Sequence, residues 1–214
     1  MNKPREEAPV REHRLTLAEV VDWLVADGLI PKGVGEDFKK ERRYFRGDTH
    51  PLIAVADQKW KSLAAPHAAL TLEGLTEWLA RRSGLDYLHI DPLKINFSIV
   101  TDVMSNAYAA RFKILPVEVT TREVTIATAE PFLREWEAEL KPILRKDIRR
   151  VIANPQDIER YLVEFYKLAR SVKKAEQQGE IGSGVTNFEQ LVELGRSNRQ
   201  FDANDQHIVS IVDW

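Results

Sequence analysis

The sequence contains no cysteine. That excludes disulfide staples and thiolate metal sites, and it suits a reducing cytoplasm. Long apolar runs are missing as well: consecutive hydrophobic residues come only a few at a time, against the roughly 20 that a membrane-spanning helix needs. No excess of one charge exists either. Lys and Arg total 31 against 33 Asp and Glu, for a net charge of -2 and a pI near 6.2. The chain as a whole therefore has no electrostatic drive toward nucleic acid, and no nucleic-acid partner is expected. The opening Met1-Asn2-Lys3-Pro4-Arg5-Glu6-Glu7 has no apolar core, so no signal peptide is expected. What remains is a globular composition, 43% hydrophobic and 30% charged over 214 residues, enough for one or two domains with a buried core.

Residues 1–14 are polar and read as a flexible N-terminus. Thr16-Leu17-Ala18-Glu19 has the form of a capping box, with the Thr hydroxyl and the Glu carboxylate each satisfying an orphan backbone N–H. Leu17, Val20, Val21 and Leu24 follow at helical spacing, and Gly28 offers a left-handed stop. The charged stretch Glu36–Arg46 reads as a solvated helix, and Thr49 as the cap of a short helix through Pro51, Leu52, Ile53 and Val55. The patch Ala64-Ala65-Pro66-His67 marks a turn. Thr71 then opens a helix with Leu72, Leu75, Trp78 and Leu79 on one face, closed by Gly84. Residues 15–84 thus predict a helical subdomain whose two halves share a loose plan, too weak to define a repeat.

From residue 85 the period changes. Tyr87-Leu88-His89-Ile90 predicts a strand ended by Asp91-Pro92, and Asn96 caps one helix running through Ile99, Val100, Val103, Met104 and Tyr108. Residues 114–119 and 123–128 read as a hairpin. Pro131 opens a helix carrying Leu133, Trp136, Leu140 and Ile143, with Pro142 placed to kink or shorten it. Residues 149–153 give the last strand. The order β-α-β-β-α-β predicts an α+β fold with a small α/β sandwich-like subdomain over 85–170, in which two helices cover one face of an antiparallel sheet. A helix after Asn154-Pro155 carries Ile158, Tyr161, Leu162, Phe165 and Leu168. Residues 171–214 read as a linker, with its polar part at 173–184, a short helix over 187–194, and an amphipathic start at 205–214.

Catalytic chemistry is hard to find in this pattern. No Gly-x4-Gly-Lys-Ser/Thr phosphate loop occurs; Gly179-Glu180-Ile181-Gly182-Ser183-Gly184 imitates one without its lysine. The five histidines, His13, His50, His67, His89 and His207, never cluster in sequence, and no His-Glu-x-x-His or Gly-x-Ser-x-Gly is present. His89-Ile90-Asp91 reads as a strand end with Asp91 fixing the turn before Pro92. Glu135 and Glu139 share a helix face at i, i+4, with Glu137 pointing elsewhere, and read as a mildly repulsive solvated pair. Lys141, Arg145, Lys146, Arg149 and Arg150 form the one local basic cluster. It reads either as a solvated face or as a docking patch for an acidic partner or a nucleotide phosphate. Of Trp60, Trp78 and Trp136, the last two fall on apolar stripes and belong in the core. No catalytic, cofactor-binding or metal residue is expected, and the chain is not expected to be an enzyme.

Residues 16–164 resemble the N-terminal domain of the traffic ATPases that drive type II secretion and type IV pilus assembly (the GspE, PulE and PilB group, with an MshEN-like domain). The resemblance is carried by Leu24-Val25-Ala26-Asp27-Gly28-Leu29-Ile30, by residues 72–80, by Gly84-Leu85-Asp86-Tyr87-Leu88-His89-Ile90-Asp91-Pro92, by residues 110–117, by strand 123–128 with Ala129-Glu130-Pro131, and by the Asn154-Pro155 helix. It implies a domain that docks on an inner-membrane assembly platform and is attached to a hexameric ATPase motor. On this reading residues 205–214 lead toward a motor that the chain lacks. The expected location is cytoplasmic, peripheral to the inner membrane through the partner. Some relatives bind cyclic-di-GMP through motifs that begin Arg-Leu-Gly and continue to Gly-Leu-Ile. Leu24, Val25, Gly28, Leu29 and Ile30 fit the later part, but aligned on Gly28 the Arg position is Glu19 and the first Gly is Val21. The second copy, near His50-Pro51-Leu52, lacks both the Arg and the Gly-Leu-Ile. A carboxylate at the Arg position repels phosphate, so ligand binding by this route is disfavoured. A cyclic-di-GMP sensor and a stand-alone adaptor are the alternatives to the docking domain.

Overall fold

The computed structural model of the chain describes residues 12–40, 49–178 and 190. The capping box forms as the sequence predicts: Thr16 accepts from the Glu19 N–H and Glu19 accepts from the Thr16 N–H, opening helix α1 (Leu17–Ala26). Asp27 and Gly28, the latter at φ +68°, end it. Helix α2 (Lys32–Lys40) is mostly exposed and includes the first part of the expected solvated helix, whose residues 41–46 lie outside the described residues. Its Phe38 is buried and meets Trp60 edge-on at 5.0 Å, because one apolar residue in a charged run is enough to anchor a helix face. The short helix α3 (Pro51–Ala56) is capped by His50, not Thr49: its imidazole accepts from the Leu52 N–H at 3.2 Å. Helix α4 (Leu72–Ser83) runs from the Thr71 cap to Gly84 at φ +69°. These four helices enclose a core of Leu17, Val20, Val21, Leu24, Leu52, Leu75 and Leu79.

Gly35 is the closest point of this packing. A Cβ there would sit 2.9 Å from Val25 Cγ2 and 3.0 Å from Val21 Cγ1, so α2 lies against α1 at a distance only glycine permits.

The second half is built on a four-stranded sheet in the order β1-β4-β3-β2. The strands are β1 (Asp86–Tyr87), β2 (Ile114–Val119), β3 (Glu123–Thr128) and β4 (Asp147–Ile152). The element order and the α+β class are those of the sequence reading. The sheet, however, is mixed and not antiparallel. Only the β2–β3 hairpin is antiparallel; β4 runs parallel to both β3 and β1. The reason is local: α7 (Glu135–Leu144) separates β3 from β4, and a helical crossover returns the chain to run in the same direction. Strand β1 is two residues long, so His89 and Ile90 lie beyond it.

Three further differences concern the helices. The single helix expected after Asn96 is broken into α5 (Phe97–Asp102) and α6 (Asn106–Phe112), because Ser105 caps the second by accepting from the Tyr108 N–H. A 3-10 turn (Pro92–Lys94) precedes them, with Asp91 accepting from the Leu93 N–H as its sequence position suggests. Helix α7 starts at Glu135 and not at Pro131, and it tolerates Pro142 close to its end. Helix α8 (Pro155–Gln178) continues into the stretch expected to be linker, because Ala169, Val172 and Ala175 keep the apolar stripe going. The glycine-rich imitation at 179–184, the expected helix over 187–194 (Gln190 excepted) and the segment 205–214 lie outside the described residues, as does 1–11 of the N-terminus.

The sheet and α5–α8 share a second core around Trp136, which is fully buried and donates its indole N–H to the Leu133 carbonyl at 3.0 Å. Among the described residues no buried side-chain polar atom lacks a partner, and no helix is long and apolar enough to cross a membrane.

Candidate functional site

The glycine-containing segment singled out in the sequence lies at the end of α1 and is held by side chains from α4. Asp27 accepts from the Trp78 indole at 2.8 Å and from Arg82 at 2.7 and 2.8 Å. Arg82 also stacks over Trp23 at 4.8 Å, and Trp23 meets Phe132 edge-on at 5.8 Å. Leu24 and Ile30 point into the core. The two positions that depart from the phosphate-binding pattern are occupied structurally. Glu19 closes the capping box and pairs with His13 at 2.8 Å, and its carboxyl is held below the usual range; burial opposes that lowering, while bonds from Thr16 and the neighbouring His13 produce it. Val21 is fully buried beneath Gly35. Neither can present a donor to a phosphate.

The second motif region became a seam between the two halves. His50 Nδ1 accepts from the Leu52 N–H, which requires the proton on Nε2, and Nε2 donates to the Ala129 carbonyl at 3.1 Å. Burial pushes His50 down to about 4, helped by Lys113 and opposed by the Ala129 bond. Glu130 stands 3.8 Å from the ring. The geometry is that of a salt bridge, but a neutral imidazole makes it a polar contact at neutral pH. Glu130 accepts instead from the Leu15 N–H at 2.7 Å, and burial raises its carboxyl against the lowering effect of that bond and of Arg14 and Lys113. His13 stacks on Phe132 at 5.1 Å, extending the seam.

The basic cluster of the sequence does not assemble into one patch. Arg150 pairs with Glu137 at 2.6 Å and donates to the Pro131 carbonyl at 2.7 Å; Arg149 pairs with Asp86 at 2.7 Å. Lys146 donates to the carbonyls of Thr120 and Thr121, and Lys141 lies 3.7 Å from Asp147. Arg145 is exposed, in a left-handed conformation at the end of α7. Strand alternation sends Arg149 and Arg150 to opposite faces, so proximity in sequence does not become proximity in space. Glu135 and Glu139 both lie in α7 as expected, with Glu139 accepting from the Tyr108 hydroxyl at 2.7 Å; Glu137, expected to point elsewhere, is engaged by Arg134 and Arg150. Tyr108 is pushed up by burial and then by Glu139. Trp78 and Trp136 are core residues as expected, and Trp60 is half-buried against Phe38.

One grouping is invisible in the sequence. Glu73 in the first turn of α4, His89 beyond β1 and Asp157 in the first turn of α8 bring their ligand-type atoms within 4.8 Å of one another. His89 Nδ1 lies 3.0 Å from Glu73 Oε1. His89 alone was legible as a polar residue near a strand end; its partners come from distant helices.

Comparison with known proteins fits the motif reading. Residues 83–172 match the MshEN domain family. The type IV pilus assembly ATPase TfpB of Acinetobacter baylyi is 38% identical over 166 residues, which are 77% of this chain and 28% of that protein; the chain thus spans under a third of this curated relative. Among solved structures, MshE with cdg is similar over 72% of this chain and 100% of that one, at 13% identity and a TM-score of 0.45. The N-terminal domain of XpsE is similar over 72% of this chain and 98% of its own, at 14% identity and a TM-score of 0.41. Residues 83–172 are an MshEN domain, and the chain is an N-terminal domain of the type II secretion and type IV pilus assembly ATPase family, separate from the catalytic domain of such proteins.

Proposed function

We propose that this chain is the docking and regulatory domain of a type II secretion or type IV pilus assembly ATPase, binding the inner-membrane assembly platform and passing its state to the motor. The observation that carries the reading is the 38% identity to a pilus assembly ATPase across 77% of the chain. The side chains agree with it. Glu19 and Val21 are spent on a helix cap and a core, and four of the five basic-cluster residues have separate partners, so no phosphate-binding constellation is assembled. The location that follows is cytoplasmic and peripheral to the inner membrane, and hexamers belong to the longer parent.

The test is capture of the chain by the cytoplasmic part of the platform protein. Retention at micromolar concentrations is expected, and its absence sinks the proposal. A cyclic-di-GMP sensor is the second reading, supported by the retained Leu24, Val25, Gly28, Leu29 and Ile30. Calorimetric titration with cyclic-di-GMP is expected to give no binding. Saturable binding that survives Arg145→Ala and Arg149→Ala but is lost when Gly28 is changed would establish the sensor in its place.

A further inference from the structure

Glu73, His89 and Asp157 supply one imidazole nitrogen and two carboxylates from three separate elements, with one ligand atom of each inside a 4.8 Å sphere of mutual distances. We propose that they form a divalent transition-metal site, best suited to Zn2+, that clamps the helical half to the sheet half. This inference is independent of the docking reading.

The donor set argues for the metal class. An imidazole beside carboxylates selects zinc and its neighbours over magnesium or calcium, which take oxygen alone. Three protein ligands leave a fourth, water-filled position, the arrangement of an open zinc site. Zinc ligand distances near 2.0–2.2 Å put neighbouring ligand atoms about 3.3 Å apart in a tetrahedron. The His89–Glu73 separation of 3.0 Å is close to that, and the Asp157 carboxylate lies within 4.8 Å of both ligand atoms.

The surroundings resemble an outer shell. The Tyr87 hydroxyl and the Asn154 amide both donate to the Glu73 carboxylate, the latter at 3.3 Å, fixing its plane. Asp157 accepts from Arg160 at 2.9 Å through one oxygen and keeps lone pairs on the other. His89 is 68% exposed and Glu73 39%, so an ion reaches the site directly from solvent, while Asp157 at 18% supplies the more rigid wall. The alternative for these residues is a hydrogen bond from His89 Nδ1 to Glu73 beside Asp157, with no ion. The two cases differ in how they respond to added metal.

The experiment is calorimetry and thermal melting of the chain, treated with chelator and then titrated with Zn2+ in a non-coordinating buffer. The expected result is binding of one ion per chain and a rise in Tm, because the ion binds the folded arrangement and not the unfolded one. His89→Ala and Asp157→Asn should each weaken binding at least about tenfold, whereas His67→Ala, at an exposed turn outside the cluster, should leave it unchanged. Co2+ should give a visible ligand-field band that His89→Ala removes. Both variants lie at exposed or half-exposed positions, and circular dichroism before titration identifies one that fails to fold. Absence of one-to-one binding, or equal Zn2+ affinity in the wild type and His89→Ala, overturns the proposal.

Discussion

The two halves of the molecule are held together by different means. In the sheet half, backbone ladders join residues far apart in the chain, from Asp86↔Val151 to Glu123↔Asp147, and a fully buried Trp136 fills the space beneath. Among its described residues, the helical half limits strand pairing to an isolated bridge between Lys61 and Ala69. Its helices are stopped by caps and tied by side chains: Asp27 to Trp78 and Arg82, Phe38 to Trp60, Gly35 against Val21 and Val25. Where the halves meet, Ile152 and Phe132 of the sheet half pack on the helical core, and hydrogen bonds from His50 to Ala129 and from Leu15 to Glu130 lie beside them. A ladder tolerates the loss of one side chain better than a cap-and-tie assembly does, so the helical half is the one more sensitive to small changes at its contacts.

The largest expected effect tests whether the halves unfold together. Trp136→Ala removes the biggest side chain of the sheet core and should cost about 3–5 kcal/mol. If the seam couples the halves, urea transitions followed by far-ultraviolet dichroism and by tryptophan fluorescence shift together; separate transitions would show two independent units. Next comes the seam itself. His50→Ala leaves the Ala129 carbonyl and the Leu52 N–H without their buried partner and should cost about 2–3 kcal/mol. It should also remove a pH dependence. His50 is held at about 4, below its unfolded value of 6.5, so its contribution is full above 6.5 and lost as pH falls toward 4. Melts of the wild type at pH 7 and pH 5 should differ by about 2 kcal/mol from this group alone. Glu130, whose raised carboxyl favours the folded state in acid, acts in the opposite sense at the lower end.

Smaller effects sharpen the contrast. Gly35→Ala should gain helix propensity yet destabilise the helical half by about 1–2 kcal/mol, because the added methyl overlaps Val25 and Val21; a stabilised variant in thermal melting would show that α1 and α2 separate freely. Arg149→Ala, at an exposed pair with Asp86 on the sheet rim, should leave Tm unchanged, since such pairs contribute little.

Local chemistry explains which parts were legible in the sequence. The Thr16–Glu19 box, Thr71 and Gly84, and the 114–119/123–128 hairpin each depend on residues a few positions apart, and all are present. Parallel pairing of β1 with β4 depends on residues more than sixty positions apart, and a two-residue strand carries too little pattern to show its direction. The same distance hides Glu73, His89 and Asp157 from one another. His50 is not legible as a cap, because histidine is uncommon among capping residues and Thr49 beside it is the commoner type. The basic cluster misled in the opposite way: five cations close in sequence were divided by strand alternation and a helix end.

The edges of the sheet bear on how copies of this domain can meet. On one side lies β1, with only Asp86 and Tyr87 to offer. On the other lies β2, where Pro116 lacks an N–H and the register shifts between Pro116 and Glu118. Neither rim of the described sheet offers a long, regular row of free backbone groups, so edge-to-edge strand pairing between crowded copies is disfavoured.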